Sequence, residues 1–240
     1  MTRFPRIFTL ALLLVASLSA HAAAGPTGFL NDTGQDTCYD GTNLVACATA
    51  NSGDGATYPR QDGRFGRDAK TGLAKTGAGA KAFDYTKVCF NGDSAGSGTC
   101  TGTLVANTTA AATGSPTTDW ACTKDNVTNL IWSLEGGSGG WITYANITLP
   151  GATNTAVRCG YNTGWRLPTR RELLSLAHNG ASSPAIDSAY FPGTQSNWYW
   201  SADTYAPDPA NAWNVDFDVG YTDALNKAST GFVRLVRSGQ

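Results

Sequence analysis

Reactive side chains are few in this sequence, and their spacing limits the chemistry they can do. Beyond residue 24 there is a single histidine, His178. A Ser-His-Asp hydrolase would need it as the general base, and no nucleophile pattern surrounds it. Its place at the end of a helical pattern offers a simpler role, a cation at the negative end of the helix dipole. The six cysteines, Cys38, Cys47, Cys89, Cys100, Cys122 and Cys159, contain no Cys-x-x-Cys pair. With one histidine to join them, they lack the spacing of a zinc site. The glycine run Gly136–Gly140 reads as a loop and is not followed by Gly-Lys-Ser/Thr, so it is no phosphate-binding loop.

The polar and aromatic residues that remain are those of a binding surface. Arg166, Arg170 and Arg171 stand together, with Arg234 and Arg237 near the C-terminus. They read either as a patch for sulfate or another anion, where guanidinium groups make bidentate contacts, or as structural ion-pair partners, a role that suits Arg166. Asp203, Asp208, Asp216, Asp218 and Asp223 offer the oxygen ligands calcium prefers, with Asp216, Asp218 and Asp223 as the candidate set. Otherwise no cofactor is indicated. Trp198, Tyr199, Trp200, Tyr205, Trp213 and Tyr221 supply rings for sugar stacking. Alternation sends about half of them inward: Trp198, Trp200 and Trp213 to the core, leaving Tyr199, Tyr205 and Tyr221 for the surface.

These residues need elements to hold them. Residues 1–24 read as a secretory signal peptide: Arg3 and Arg6, an apolar run from Ile7 to Leu18, and small-residue cleavage patterns near residues 22–24. That run is short for a bilayer span and no second one follows, so no transmembrane anchor is expected after cleavage. Loss of Arg3 and Arg6 leaves 15 basic residues against 18 acidic, a net charge of −3, which argues against a nucleic-acid partner. An even cysteine count behind a leader points to disulfides in an oxidising compartment. Several pairings are open; the short Gly-, Asp-, Asn- and Thr-rich intervals favour Cys38–Cys47 and Cys89–Cys100, and Cys122–Cys159 then ties the two halves together. Each bridge is worth roughly 2–4 kcal/mol.

The mature chain, 25–240, is long enough for one well-buried domain. Its first part, 25–119, is loop-rich and includes a low-complexity stretch from Gly92 to Thr118; the core part, 120–240, holds all seven tryptophans. A short helix is expected over 170–178. Thr169 caps it, Glu172 completes a capping box, Leu173, Leu174, Leu176 and Ala177 form its apolar face, and Asn179-Gly180 stops it. Trp198–Ser201, Trp213–Val219 and Phe232–Arg237 read as strands, the second with an acidic outer face and Gly220 as its turn.

Taken in order, these segments resemble one family. Gly164-Trp165-Arg166-Leu167-Pro168-Thr169-Arg170-Arg171-Glu172-Leu173 is similar to its central signature. Pro184-Ala185-Ile186-Asp187, Tyr190-Phe191-Pro192, Trp198–Ser201, Ala212–Phe217 and Val233–Arg237 follow, and Asp32–Tyr39 and Trp120–Thr128 match upstream. The chain thus resembles the Lcl C-terminal domain family over roughly 29–240. The resemblance implies an α+β, C-type-lectin-like fold of mainly short antiparallel strands with one or two short helices and long loops. The family is named for a collagen-like bacterial adhesin that binds sulfated polysaccharide and assembles as a trimer; this chain has no collagen-like repeat. The expectation is an exported, non-enzymatic module, periplasmic or extracellular, with a polysaccharide or a surface protein as partner and homo-oligomers in reach. Its binding residues would be Arg170, Arg171, Arg237, Tyr199, Tyr205 and Tyr221. A structural subunit of a fibre or pilus-like assembly is the alternative. The formylglycine-generating enzymes share part of the central signature, but no cysteine follows Cys159 to act as their thiolate.

Overall fold

Turn chemistry organises the centre of the chain. Asp125 accepts the N–H groups of Val127 and Thr128 and the Thr128 hydroxyl, and Asn129 takes a left-handed backbone at φ 56°. The chain therefore reverses between Asp119–Asp125 and Leu130–Gly140, two antiparallel strands in register Cys122↔Ser133 to Asp125↔Leu130. The computed structural model describes residues 32–35, 37–39, 42–46, 67, 73–109, 115 and 117–239. The expected leader and Cys47 lie outside the described residues.

Ten strands are described: β1 (Thr37–Tyr39), β2 (Leu44–Ala46), β3 (Tyr85–Cys89), β4 (Val105–Ala106), β5 (Asp119–Asp125), β6 (Leu130–Gly140), β7 (Trp198–Thr204), β8 (Asn211–Asp216), β9 (Tyr221–Asn226) and β10 (Thr230–Ser238). β1 and β2 form a separate hairpin; the others make one sheet in the order β3-β5-β6-β10-β7-β8-β9, with β4 beside β5. Pairings are antiparallel except β10 with β7 and β4 with β5. A π-helix, Trp141–Thr148, runs into α1 (Leu149–Ala156), and α2 spans Arg170–Leu174. The fold is α+β, mostly sheet, and disulfide-stapled.

The central strands are covered on both faces. One apolar cluster gathers Phe83, Tyr85, Trp132, Leu173, Phe191, Tyr199 and Phe217; the other gathers Val88, Ile131, Leu149, Trp165, Trp200 and Leu235. Each large side chain so buried contributes about 1.5–3 kcal/mol of hydrophobic stabilisation. Cys89–Cys100 and Cys122–Cys159 are bonded as expected. Cys38 is disulfide-bonded too, while Cys47, its expected partner, is not among the described residues.

Four expectations need correction. Gly136–Gly140 is not a loop but the second half of β6, paired with Thr230–Arg234. The glycines are there because the Tyr144 ring lies on this strand: a Cβ at Gly137 would stand 1.9 Å from the Tyr144 hydroxyl, and one at Gly139 2.5 Å from its Cβ. The Gly92–Thr118 stretch contains the Cys89–Cys100 turn and β4. The 170–178 helix is α-helical only to Leu174; Leu176 and Ala177 N–H bond three residues back, to Leu173 and Leu174, a tighter winding. Leu173, Leu176 and Ala177 are buried, whereas Leu174 is exposed. His178 is not a surface cation on a dipole. It is buried against Phe83, and its Nδ1 accepts the Gly180 N–H. Gly34, at φ 72°, packs so closely on that ring that a Cβ would stand 2.4 Å from Nδ1, and Thr33 accepts the Asn179 N–H. Residues 32–35 are thereby locked onto the turn that follows α2.

Candidate functional site

The start of α2 is built by reciprocal contacts. The Thr169 hydroxyl accepts the Glu172 N–H, and the Glu172 carboxylate accepts the Thr169 N–H at 2.8 Å. Both Glu172 oxygens also take the Arg166 guanidinium, at 2.7 and 2.8 Å. Burial pushes the Glu172 carboxyl up, but Arg166 and the two Thr169 bonds outweigh it and hold it below the usual glutamate range. Arg166 is thus an architectural partner. Asp203, on β7, accepts the Arg170 N–H at 2.8 Å and docks the helix on the sheet.

This framework aims the next two arginines along one strip. The Arg170 guanidinium lies 4.1 Å over the Trp213 ring, and Tyr205 meets the same ring edge-on at 5.0 Å. All three are partly exposed. One residue on, Arg171 enters a cleft of about 450 Å³ lined also by Thr33, Leu174, Ser175, Asn179, Tyr221 and Thr222. Arg171 makes no ion pair among the described residues. The arrangement offers rings for apolar sugar faces, two guanidinium groups for anionic substituents, and hydroxyl and amide groups for hydrogen bonds.

The other expected residues fall elsewhere. Tyr199 is not a surface ring: it is 3% exposed, stacked on Phe232 and edge-on to Phe217, with its hydroxyl accepting the Gln195 N–H. β7 lies between β10 and β8, and Tyr199 and Trp200 enter apolar clusters on opposite faces, so both are buried whichever way alternation sends them. Arg237 is 7% exposed, covered by the Tyr161 ring at 3.3 Å. Arg234 is in the core, donating to Ser133 O and Thr194 Oγ1. The five arginines therefore form no single patch. Trp213, assigned to the core by alternation, is half-exposed: β8 lies one strand from the sheet edge, and only the Arg170 side chain of α2 and the Tyr205 ring cover the indole.

The carboxylates do not converge on an ion. Asp216 accepts the Asp218 N–H, Asp218 accepts the Ser183 hydroxyl, Asp223 accepts the Ala224 N–H and Asp208 accepts from Ala210 and Asn211. Among the described residues, no group of three or more His, Cys, Asp or Glu side chains is placed to hold a metal ion. Asp216, Asp218 and Asp223, the expected calcium set, are not such a group.

With this geometry in view, comparison with known families is decisive for the core part. The model of the Lcl C-terminal domain matches residues 121–237. Residues 121–237 are thus similar to the Lcl C-terminal domain family. No curated protein matches the chain. The domain of this family runs from β5 into β10 and contains Arg170, Arg171, Tyr205, Trp213 and Tyr221, so the strip belongs to it. Thr33, which helps close the cleft, comes from before it. Sequence patterning does not single out Leu174, Ser175, Asn179 or Thr222 for binding, and it counts Trp213 among the stacking rings only to send it to the core.

Proposed function

We propose that the protein is an exported, non-enzymatic module that binds polysaccharide along the strip between α2 and the β8–β9 hairpin, in a C-type-lectin-like arrangement. The observation that carries this reading is the Trp213 ring, held half-exposed between Arg170 and Tyr205, with Arg171, one residue on from Arg170, lining a cleft of its own. A site of this kind binds by stacking and charge without an activated nucleophile. All five described cysteines are in disulfides, which supports a binding role over thiolate chemistry and fits a periplasmic or extracellular compartment. No helix among the described residues is long and apolar enough to cross a membrane.

The test is a glycan array of the oxidised protein with sulfated and neutral polysaccharides, with calcium and with a chelator. Saturable binding is expected, unchanged by the chelator and weakened by roughly tenfold or more in Trp213→Ala and in Arg170→Ala/Arg171→Ala. No retention of any glycan, or binding indifferent to these substitutions, overturns the reading and favours a subunit of a surface assembly.

A further inference from the structure

The two edges of the main sheet are treated differently. Beside β3, Tyr85 pairs with Ala78, the Ala95 N–H donates to Lys87 O and the Cys89 N–H to Asp93 O. β9, at the far edge, pairs only with β8 among the described residues. The Lys227 N–H bonds to Ala210 O across the hairpin; alternation places Asp223 and Leu225 in the same inward-bonded set. Thr222 and Ala224 therefore turn their backbone groups outward. The Ala224 N–H is held by its neighbour's carboxylate, Asp223 Oδ1, at 2.7 Å.

Charge selects what can occupy this edge. Tyr221, 50% exposed, stands opposite Asp216, and Asp223 stands opposite Asn214, so these four side chains share one face of the hairpin. Asp216, Asp223 and Asp218 form no ion pair among the described residues. Asp216 above all, with Asp223 and Asp218, raises the Tyr221 phenol above its ordinary value, which records their common approach to that ring. They are not among any group of three or more metal-binding side chains in the described residues. Beneath them Asn214 is fully buried with Oδ1 and Nδ2 both unmatched, a polar group that the free protein leaves without use. A second copy of the chain is a poor occupant, since pairing β9 with itself brings Asp223 of each copy together.

We propose that β9 is the docking edge for an extended basic segment of a partner protein, which adds a strand outside Thr222 and Ala224 and sets Lys or Arg side chains against Asp216, Asp223 and the Tyr221 ring. Backbone bonds supply the pairing, and every second residue of the segment carries the cation. Docking releases the Ala224 N–H to the incoming carbonyl and frees the Asp223 carboxylate for the ligand. The surface adjoins the polysaccharide strip and shares Tyr221 with its cleft, while the side chains of Trp213 and Thr222 lie on the opposite face of the same hairpin.

The experiment uses the oxidised full-length mature protein and a fluorescent octapeptide of alternating Lys and Val, with an alternating Glu–Val peptide and an N-methylated Lys–Val peptide as controls. Binding is read by anisotropy, and the site by amide hydrogen exchange of β9. The expected result is saturable binding of the Lys–Val peptide, protection of the Thr222 and Ala224 amides, and roughly tenfold weakening in Asp216→Asn/Asp223→Asn and in Asn214→Leu. The N-methylated and acidic peptides should not bind. Equal binding of the acidic peptide, unprotected β9 amides at saturation, or undiminished binding by the double variant would overturn the proposal. Glycan retention by Asp216→Asn/Asp223→Asn, measured in parallel, separates failure here from failure of the polysaccharide reading.

Discussion

Replacing Glu172 tests whether the strip depends on how α2 begins. Its carboxylate does two things: it accepts the Thr169 N–H at 2.8 Å, and it holds both Nη atoms of Arg166 at 2.7 and 2.8 Å. The Arg166 side chain is 44% exposed, so solvent screening reduces the bidentate pair to about 1 kcal/mol. Losing the reciprocal cap adds about 0.5–1 kcal/mol. Glu172→Gln, which keeps a neutral acceptor, should cost about 1 kcal/mol, and Glu172→Ala about 1.5–2 kcal/mol. For a domain of this size that lowers the melting temperature by roughly 2–4 °C per kcal/mol. The pH dependence follows from the depressed folded-state value. The stabilisation is fully present above the ordinary glutamate value of 4.5 and is lost as pH falls through the lower folded value. Wild type and Glu172→Gln should therefore differ in thermal melts at neutral pH and converge in acid. Arg170 should also leave Trp213, changing the near-ultraviolet circular dichroism of Glu172→Ala. Equal melting temperatures at neutral pH, or a gap that persists undiminished in acid, would refute this account of the helix start.

Two further outcomes follow from packing. Gly137→Ala should destabilise by about 1–3 kcal/mol, because its Cβ would stand 1.9 Å from the Tyr144 hydroxyl; in a Tyr144→Ala background the same change should stabilise by about 0.4–1 kcal/mol, since only the entropy of the unfolded chain then changes. A urea double-mutant cycle reads the sign reversal, and additive effects would show that the ring does not dictate the glycine. Asn214→Leu should raise stability by about 1 kcal/mol in the same assay, because it replaces a buried amide whose two polar atoms are unmatched; a loss of stability would mean that the amide has a partner in solution.

Local signals in the sequence were enough for the parts whose physics is local. Thr169 and Glu172 form the capping box their spacing predicts. Gly220 sits at φ 83° in the turn after β8, where it was expected. The pairs Cys89–Cys100 and Cys122–Cys159 are the ones proposed. The family was legible in the ordered segments from Trp165 to Arg237, and residues 121–237 bear it out. β9 left no such signal: Tyr221-Thr222-Asp223-Ala224-Leu225-Asn226 carries no clean apolar alternation, since at the sheet edge little of it is buried.

What the sequence by itself determined was the identity of the modules: the cap, the turns, the covalent staples and the family. Only the tertiary structure decided which side chains meet water. Tyr199 and Trp213 illustrate it, for both belong to alternating aromatic strands. β7 has sheet neighbours on both sides and an apolar cluster on each face, so Tyr199 is buried, whereas β8 lies one strand from the edge and Trp213 emerges between Arg170 and Tyr205. Alternation specifies that two residues face opposite ways, but exposure depends on what covers each face, and that cover comes from α2, the π-helix and strands distant in the chain.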